Sequence, residues 1–355
     1  MGGHWNKTMI LIYGANGYTA ELIIELALKE GAKPILGGRS EGKLVALAKL
    51  HQLPMRAFAL DDPDAIANNL TDVAVVLNCA GPFSRTANPM AEGCIKAGVH
   101  YLDITGEIDV FEALALMGSK ARKAAVMLMP GTGFDVVPSD CLAAHLKRRR
   151  PDATHLTLAF QAIGQPSHGT ATTMVENLHR GGMVRRGGKL LAVPAASATR
   201  QIDFGKGPVT TICIPWGDVS TAWVSTAIAN IEVFMAAPAG MRWMAKASRY
   251  LGGVMGSGFV QGLLKKQIDS GPAGPNAEQR RRGASHLWGE VRNASGQTAT
   301  ARLDTIEGYA LTALTAWDIA KRVAHGEAQP GYRTPSQVFG ADYILNFAGT
   351  TRTDL

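Results

Sequence analysis

Cysteine is scarce and scattered in this 355-residue sequence: Cys79, Cys94, Cys141 and Cys213 lie far apart, with no CxxC pair and no histidine at ligand spacing. Neither a zinc site nor a disulfide framework is suggested, and no metal is expected. The sequence also has no HExxH, no P-loop and no serine or cysteine nucleophile on an elbow, which disfavours metal-dependent and covalent mechanisms. Long hydrophobic runs are missing. Val219 to Leu264 is rich in Ala, Gly, Met and Trp, but its longest uncharged window, Tyr250 to Leu264, is fifteen residues. A membrane-spanning helix needs about 20. The segment reads as buried core, a dimer face or a cover over a lipid-like substrate, which leaves peripheral membrane contact open. Met1 to Lys7 lacks the apolar run of a secretory signal, so the expectation is a reducing, cytoplasmic protein. The net charge is +7, yet Lys and Arg cluster only at Lys147–Arg150 and Arg280–Arg282, with no interleaved aromatics. No nucleic acid is expected, and cofactor phosphates are the favoured anionic partner.

The first third alternates short apolar strands with amphipathic helices, the pattern of a parallel sheet covered on both faces. Strands are expected at Met9–Tyr13, Pro34–Gly37, Arg56–Ala59, Val73–Asn78, Tyr101–Asp103 and Ala125–Met129. The first helix runs from about Gly17 to Glu30, with Gly31 as its stop. After Pro138 the pattern changes: Ser139 is expected to cap a helix over Asp140–Arg149, and Pro151 then ends the regular βα alternation. Strands then follow at Thr154–Ala162, Thr210–Ile214, His286–Asn293 and Gln297–Asp304. The predicted fold class is α/β, an N-terminal Rossmann-type parallel sheet with an inserted second α+β domain on an antiparallel sheet. The expected domains are 1–138, 139–306 and a C-terminal 307–355 that returns to the first.

Directly after the first strand comes Gly14-Ala15-Asn16-Gly17-Tyr18-Thr19-Ala20, opening the first helix. Gly14 permits a tight turn, Gly17 lets the backbone approach a pyrophosphate, and Ala20 allows close helix packing. At the head of a βαβ unit this is a dinucleotide fingerprint. The second strand ends Gly37-Gly38-Arg39-Ser40, followed by Lys43. An NAD site would carry an acid there for the ribose diol, whereas Arg39, Ser40 and Lys43 suit a 2′-phosphate, so NADP(H) is the expected cofactor. Glu41 weakens that reading if it points inward. Asn78-Cys79-Ala80-Gly81-Pro82-Phe83 ends the fourth strand at the carboxyl edge, where Asn78, Ala80, Gly81 and Pro82 would pass close to the nicotinamide ribose.

These stretches, with Tyr101-Leu102-Asp103-Ile104-Thr105-Gly106-Glu107 and Gly133-Phe134-Asp135-Val136-Val137-Pro138-Ser139-Asp140, resemble the saccharopine dehydrogenase-like oxidoreductase family. The C-terminal part is similar to its trans-acting enoyl reductase branch in Gly274-Pro275, Trp288-Gly289-Glu290, Glu307-Gly308-Tyr309, Leu311-Thr312-Ala313, Pro330-Gly331, Thr334-Pro335 and Gly340-Ala341-Asp342. The resemblance implies a Rossmann domain, an inserted α+β domain, and NADP(H) in the cleft between them. Ala20 departs from the family's usual third glycine but keeps its smallness. The substrate is left open, because the family spans amino-acid metabolism and lipid-related reduction.

Hydride transfer belongs to the cofactor, so the chain must position substrate, exclude water and supply a proton. The candidate acids are Tyr101, Asp103, Glu107, Asp135, Asp140 and His168. Glu107, Asp135, His168 and Tyr101 are carried forward as catalytic, although Glu107 and Asp135 read equally well as caps and Asp140 is the clearest capping case. The second domain shows no cluster of basic residues for a polyanionic substrate, the only nearby candidates being Arg180, Arg185 and Arg186 in Gly-rich surroundings that suggest a mobile loop. That favours an apolar carbonyl or enoyl substrate over a dicarboxylate. The alternatives are a saccharopine-type dehydrogenase acting on a C–N bond, and an NADP(H)-binding regulatory or lipid-associated protein without turnover. A homodimer is the expected assembly.

Overall fold

The computed structural model describes residues 8–163, 167–169, 171–172, 181–240, 242, 262 and 271–355, which fall into two compact units. The first comprises Met1–Val137 and Tyr309–Val338, the second Pro138–Gly308 and Phe339–Leu355.

In the first unit strands and helices alternate: β1 (Met9–Tyr13), α1 (Tyr18–Lys29), β2 (Ile35–Gly38), α2 (Glu41–His51), β3 (Met55–Ala57), α3 (Pro63–Asn68), β4 (Val73–Asn78), α4 (Phe83–Ala97), β5 (His100–Asp103), α5 (Ile108–Leu116), α6 (Gly118–Lys123) and β6 (Met127–Met129). The strands pair in parallel in the order β3-β2-β1-β4-β5-β6, extended by β15 (Gly331–Tyr332). Leu11, Ile12, Val75, Val76 and Leu77 are wholly buried, as central parallel strands covered on both faces require. Gly31 ends α1 with φ +76, a conformation that costs glycine little. The unit is closed by α10 (Gly308–Ala324), where buried Trp317 donates its indole N–H to Glu30 Oε2 at 2.8 Å and Lys321 reaches the same oxygen at 2.7 Å.

The second unit opens with α7 (Val137–Arg149), followed by β7 (His155–Ile163), β8 (Gly182–Arg186), β9 (Lys189–Val193), β10 (Thr199–Asp203), β11 (Pro208–Cys213), α8 (Asp218–Thr226), β12 (Asn230–Ala236), α9 (Ala277–Arg282), β13 (Ala284–Arg292) and β14 (Thr298–Ile306). After β15 and α11 (Pro335–Phe339) the chain ends in β16 (Thr351–Asp354). The sheet order is β10-β11-β12-β7-β13-β14-β16, with the β8–β9 hairpin on β12. One face is set by alternation along β13: a Cβ on Gly289 would stand 2.6 Å from Leu146 of α7, so the glycine lets that helix lie close against the strand.

Four expectations are corrected here. The second sheet is mixed rather than antiparallel, because β12 runs parallel to β7. Its buried Ile231, Val233 and Phe234, with Val219 and Ala222 of α8, place the start of the apolar segment in the core. Residues 243–261 of that segment lie outside the described residues. Ser139 and Asp140 are not caps: α7 starts before them, Ser139 donates to Asp218 Oδ1 at 2.7 Å, and Asp140 accepts from Ser225. The last seventeen residues cluster with the second unit instead of the first, since β16 pairs with β14. Finally, Arg185 and Arg186 sit on β8 rather than in a mobile loop. Arg185 is buried and donates to Val219 O at 2.6 Å and Gly188 O at 2.7 Å. Arg180 lies outside the described residues.

The basic end of α7 is used internally. Arg148 pairs with Asp342 at 3.0 Å, Arg149 with Asp354 at 2.9 Å, and Arg150 donates to Gln297 at 2.7 Å. Among the described residues no helix is long and apolar enough to cross a membrane.

Candidate functional site

The strand order of the first unit reverses between β1 and β4, and open α/β sheets bind ligands outside the carboxyl ends of the strands at such a reversal. The Gly14–Gly17 turn crests there. Gly14 has φ +80, and a Cβ on it would lie 2.7 Å from Ala80 N. The N–H groups of Gly14 and Ala15 both donate to Gly37 O, at 2.9 and 3.1 Å, while Cys79 N donates to Tyr13 O at 2.7 Å. The turn is thus pinned to the end of β2 on one side and to the β4–α4 loop on the other. Gly17 caps α1 without a side-chain hydrogen bond, which leaves the helix N-terminus suited to an anion. Asn16 is exposed, Tyr18 and Thr19 half-buried, and the Tyr18 ring meets Tyr309 edge-on at 5.4 Å.

Arg39, Ser40 and Lys43 are all exposed where β2 passes into α2. Lys43 shares a shallow recess with Asn16, Glu21 and Leu47, which brings it beside the Gly14–Gly17 turn. Burial of Tyr13 pushes its phenol up to about 12, opposed by the charge of Arg39 and reinforced by that of Asp61. Arg39 therefore stands by the last residue of β1. Glu41 is exposed in the first turn of α2.

A buried polar network ties the remaining loops together. Asn78 Oδ1 accepts from Ala80 N at 3.1 Å, and its amide nitrogen lies 3.3 Å from Tyr101 Oη. Tyr101 Oη donates to Asp103 Oδ2 at 2.7 Å. Asp103 Oδ1 accepts from Thr105 N at 3.0 Å and Gly131 N at 2.9 Å. Thr86 closes the β4–α4 loop by donating to Ala80 O at 2.6 Å, and Thr312 of α10 accepts from Phe134 N at 2.9 Å. Sequence reasoning missed both threonines; Thr86, one turn into the helix after Pro82, was the available signal.

The candidate acids fare differently. Tyr101 is wholly buried, and burial with the charge of Asp103 raises its phenol far above the usual value. Asp103 is wholly buried too and is pushed up to about 6, by burial first. Glu107 accepts from Phe83 N at 2.9 Å and Ser84 N at 3.0 Å, one amide on each carboxylate oxygen, which caps α4. Glu107→Gln is expected to cost the first unit about 1–2 kcal/mol in thermal unfolding; a change within error would mean the cap bears no load. Asp135 is half-buried beside this loop: a Cβ on Gly106 would meet its Oδ2 at 2.8 Å, and burial pushes its carboxyl up to about 6. His168 belongs to the second unit, where its ring bonds Gly271 O at 3.0 Å. Among the described residues no group of acids, histidines and cysteines could hold a metal.

Residues 10–129, which carry this crevice, match the saccharopine dehydrogenase NADP binding domain family. The matched stretch, about a third of the chain, is similar to that NADP-binding domain. Its cofactor is NADP(H). A trans-acting enoyl reductase from Mycobacterium ulcerans is 32% identical over 148 residues, 39% of this chain and 35% of its own. The match thus spans about a third of that relative's length. A second protein named as a trans-acting enoyl reductase, from Mycobacterium tuberculosis, is 24% identical over 365 residues, 86% of each chain. Apo saccharopine dehydrogenase (L-Glu forming) from Saccharomyces cerevisiae superposes over 98% of this chain and 99% of its own, with a TM-score of 0.68 at 15% identity. That likeness is one of fold.

Proposed function

We propose that the protein is an NADP(H)-dependent reductase of an apolar enoyl or carbonyl substrate. The observation that carries the cofactor part is the cationic end of β2, with Arg39, Ser40 and Lys43 next to a glycine turn that is itself hydrogen-bonded to β2. The substrate class rests on the mycobacterial relatives, one of them similar along most of both chains. In this reading Gly14, Asn16, Gly17, Tyr18 and Thr19 hold the pyrophosphate, and Asn78, Ala80, Gly81 and Pro82 flank the nicotinamide ribose. Asp135 is the general acid, since a carboxyl near neutrality both holds and releases a proton at working pH. Tyr101 leaves the catalytic set because its hydroxyl proton is committed to buried Asp103, and Glu107 because it caps α4. His168 stays a candidate only for the second unit's part.

Calorimetric titration with NADPH and NADH tests the reading. Arg39→Ala is expected to weaken NADPH by roughly 10- to 100-fold, the loss of a charge-assisted bond to phosphate, and to leave NADH nearly unchanged. If the wild type binds both nucleotides equally and the variant matches it, Arg39 does not read the 2′-phosphate. Turnover of unsaturated thioesters with NADPH then tests the substrate; tight cofactor binding without turnover on enoyl and carbonyl panels would favour a non-catalytic role.

A further inference from the structure

The second unit contains a recess of about 440 Å³ that neither the nucleotide crevice nor the family match accounts for. Arg186, Arg200, Arg292, His155, Glu232 and Glu290 line it, brought together from β7, β8, β10, β12 and β13. No two of the three arginines lie closer than fourteen residues in the chain, so the sequence shows no basic cluster where the fold builds one.

The charges sort themselves. Arg186 pairs with Glu232, and Arg200 reaches Glu290 at 3.2 Å while its guanidinium lies 5.8 Å from the Trp288 ring and 6.0 Å from Phe234. Among the described residues the Arg292 guanidinium forms no ion pair or hydrogen bond, and the side chain is exposed. The His155 imidazole is disfavoured as a cation by burial, then by Arg292 and Arg186, with Glu232 opposing. Three guanidiniums, two carboxylates and a neutral imidazole leave the recess one positive charge in excess. Thr157 and Asn230 add hydroxyl and amide groups to the same wall, and Leu156 and Ala198 a small apolar part.

We propose that this recess is a binding site for a short organic monocarboxylate, held by Arg292 with the polar groups of β7 and β12 around it. A single carboxylate balances the excess charge, whereas a phosphate dianion would overshoot it beside two glutamates. An amino-acid zwitterion is matched less well, because both glutamates are already closed on arginines and leave no free carboxylate for an ammonium.

The test is calorimetric titration of the full chain with butyrate, glycine and inorganic phosphate, repeated on Arg292→Ala. Butyrate is expected to bind saturably and more tightly than glycine or phosphate. Arg292→Ala, at an exposed position that leaves the fold intact, is expected to weaken butyrate about tenfold or more, the loss of a charge-assisted pair. Arg39→Ala should leave butyrate binding unchanged, which separates this site from the nucleotide reading. Absence of saturable butyrate binding, persistence of it in Arg292→Ala, or a preference for glycine or phosphate overturns the proposal.

Discussion

Gly14→Ala is expected to abolish measurable NADPH binding and to destabilise the first unit by about 2–4 kcal/mol. Two costs combine. The native φ of +80 suits glycine and strains alanine, and the new Cβ would stand 2.7 Å from Ala80 N and 2.8 Å from Ala80 Cα. Those atoms are backbone of the β4–α4 loop, so relief comes only by moving the loop that forms the other wall of the crevice. Gly17→Ala provides the graded comparison: its backbone is extended, with φ −86, and its Cβ would meet Gly14 O at 3.2 Å and Cys79 O at an ordinary 3.9 Å. That variant should fold like the wild type and lose affinity, as backbone approach to a pyrophosphate is narrowed. Thermal unfolding and calorimetry on both variants separate the effects; unchanged affinity in Gly14→Ala would remove the turn from the nucleotide site.

The glycine turn and the elements around it were legible because their signals are local. A turn that needs glycine, a helix start and a cationic strand end all fall within thirty residues of β1, and the observed strands β1 and β4 match the expected Met9–Tyr13 and Val73–Asn78 residue for residue. What escaped the sequence depends on long-range pairing. The strand β12 was missed although Ile231 and Val233 are buried in alternation with half-buried Asn230 and Glu232, because the apolar Phe234–Ala236 that follows breaks the pattern after four residues. Ser139 looked like a cap by type, yet it serves a buried bond to Asp218, which is 79 residues away. Glu107 read equally as a cleft acid or a cap, but which helix it caps was hidden, since that helix begins 24 residues earlier. The three arginines of the second-unit recess are likewise spread over three strands, β8, β10 and β13, so their convergence is a property of register alone.

Asp103→Ala should be the most damaging side-chain deletion in the first unit. It removes the acceptor for Thr105 N, Gly131 N and Tyr101 Oη, all buried, at distances of 3.0, 2.9 and 2.7 Å. Each buried donor left without a partner costs about 1–3 kcal/mol, and a shared network does not add linearly, so a loss on the order of 3–5 kcal/mol is expected. Asn78 and Ala80 lie on the same chain of bonds, so NADPH affinity should fall with the scaffold. Asp103→Asn separates charge from shape through pH. Burial holds the Asp103 carboxyl up to about 6, against 3.8 for a free aspartate. Between those values the folded state carries the extra proton, so stability from this group falls as pH rises through the window and is lowest above it. The amide never ionises. The penalty for Asp103→Asn should therefore be larger at pH 5 than at pH 8, by about 1.4 kcal/mol for a shift of this size. Denaturant unfolding at the two pH values measures it directly. A penalty independent of pH would mean that Asp103 is ionised throughout and that its hydrogen bonds, rather than its burial, set its charge.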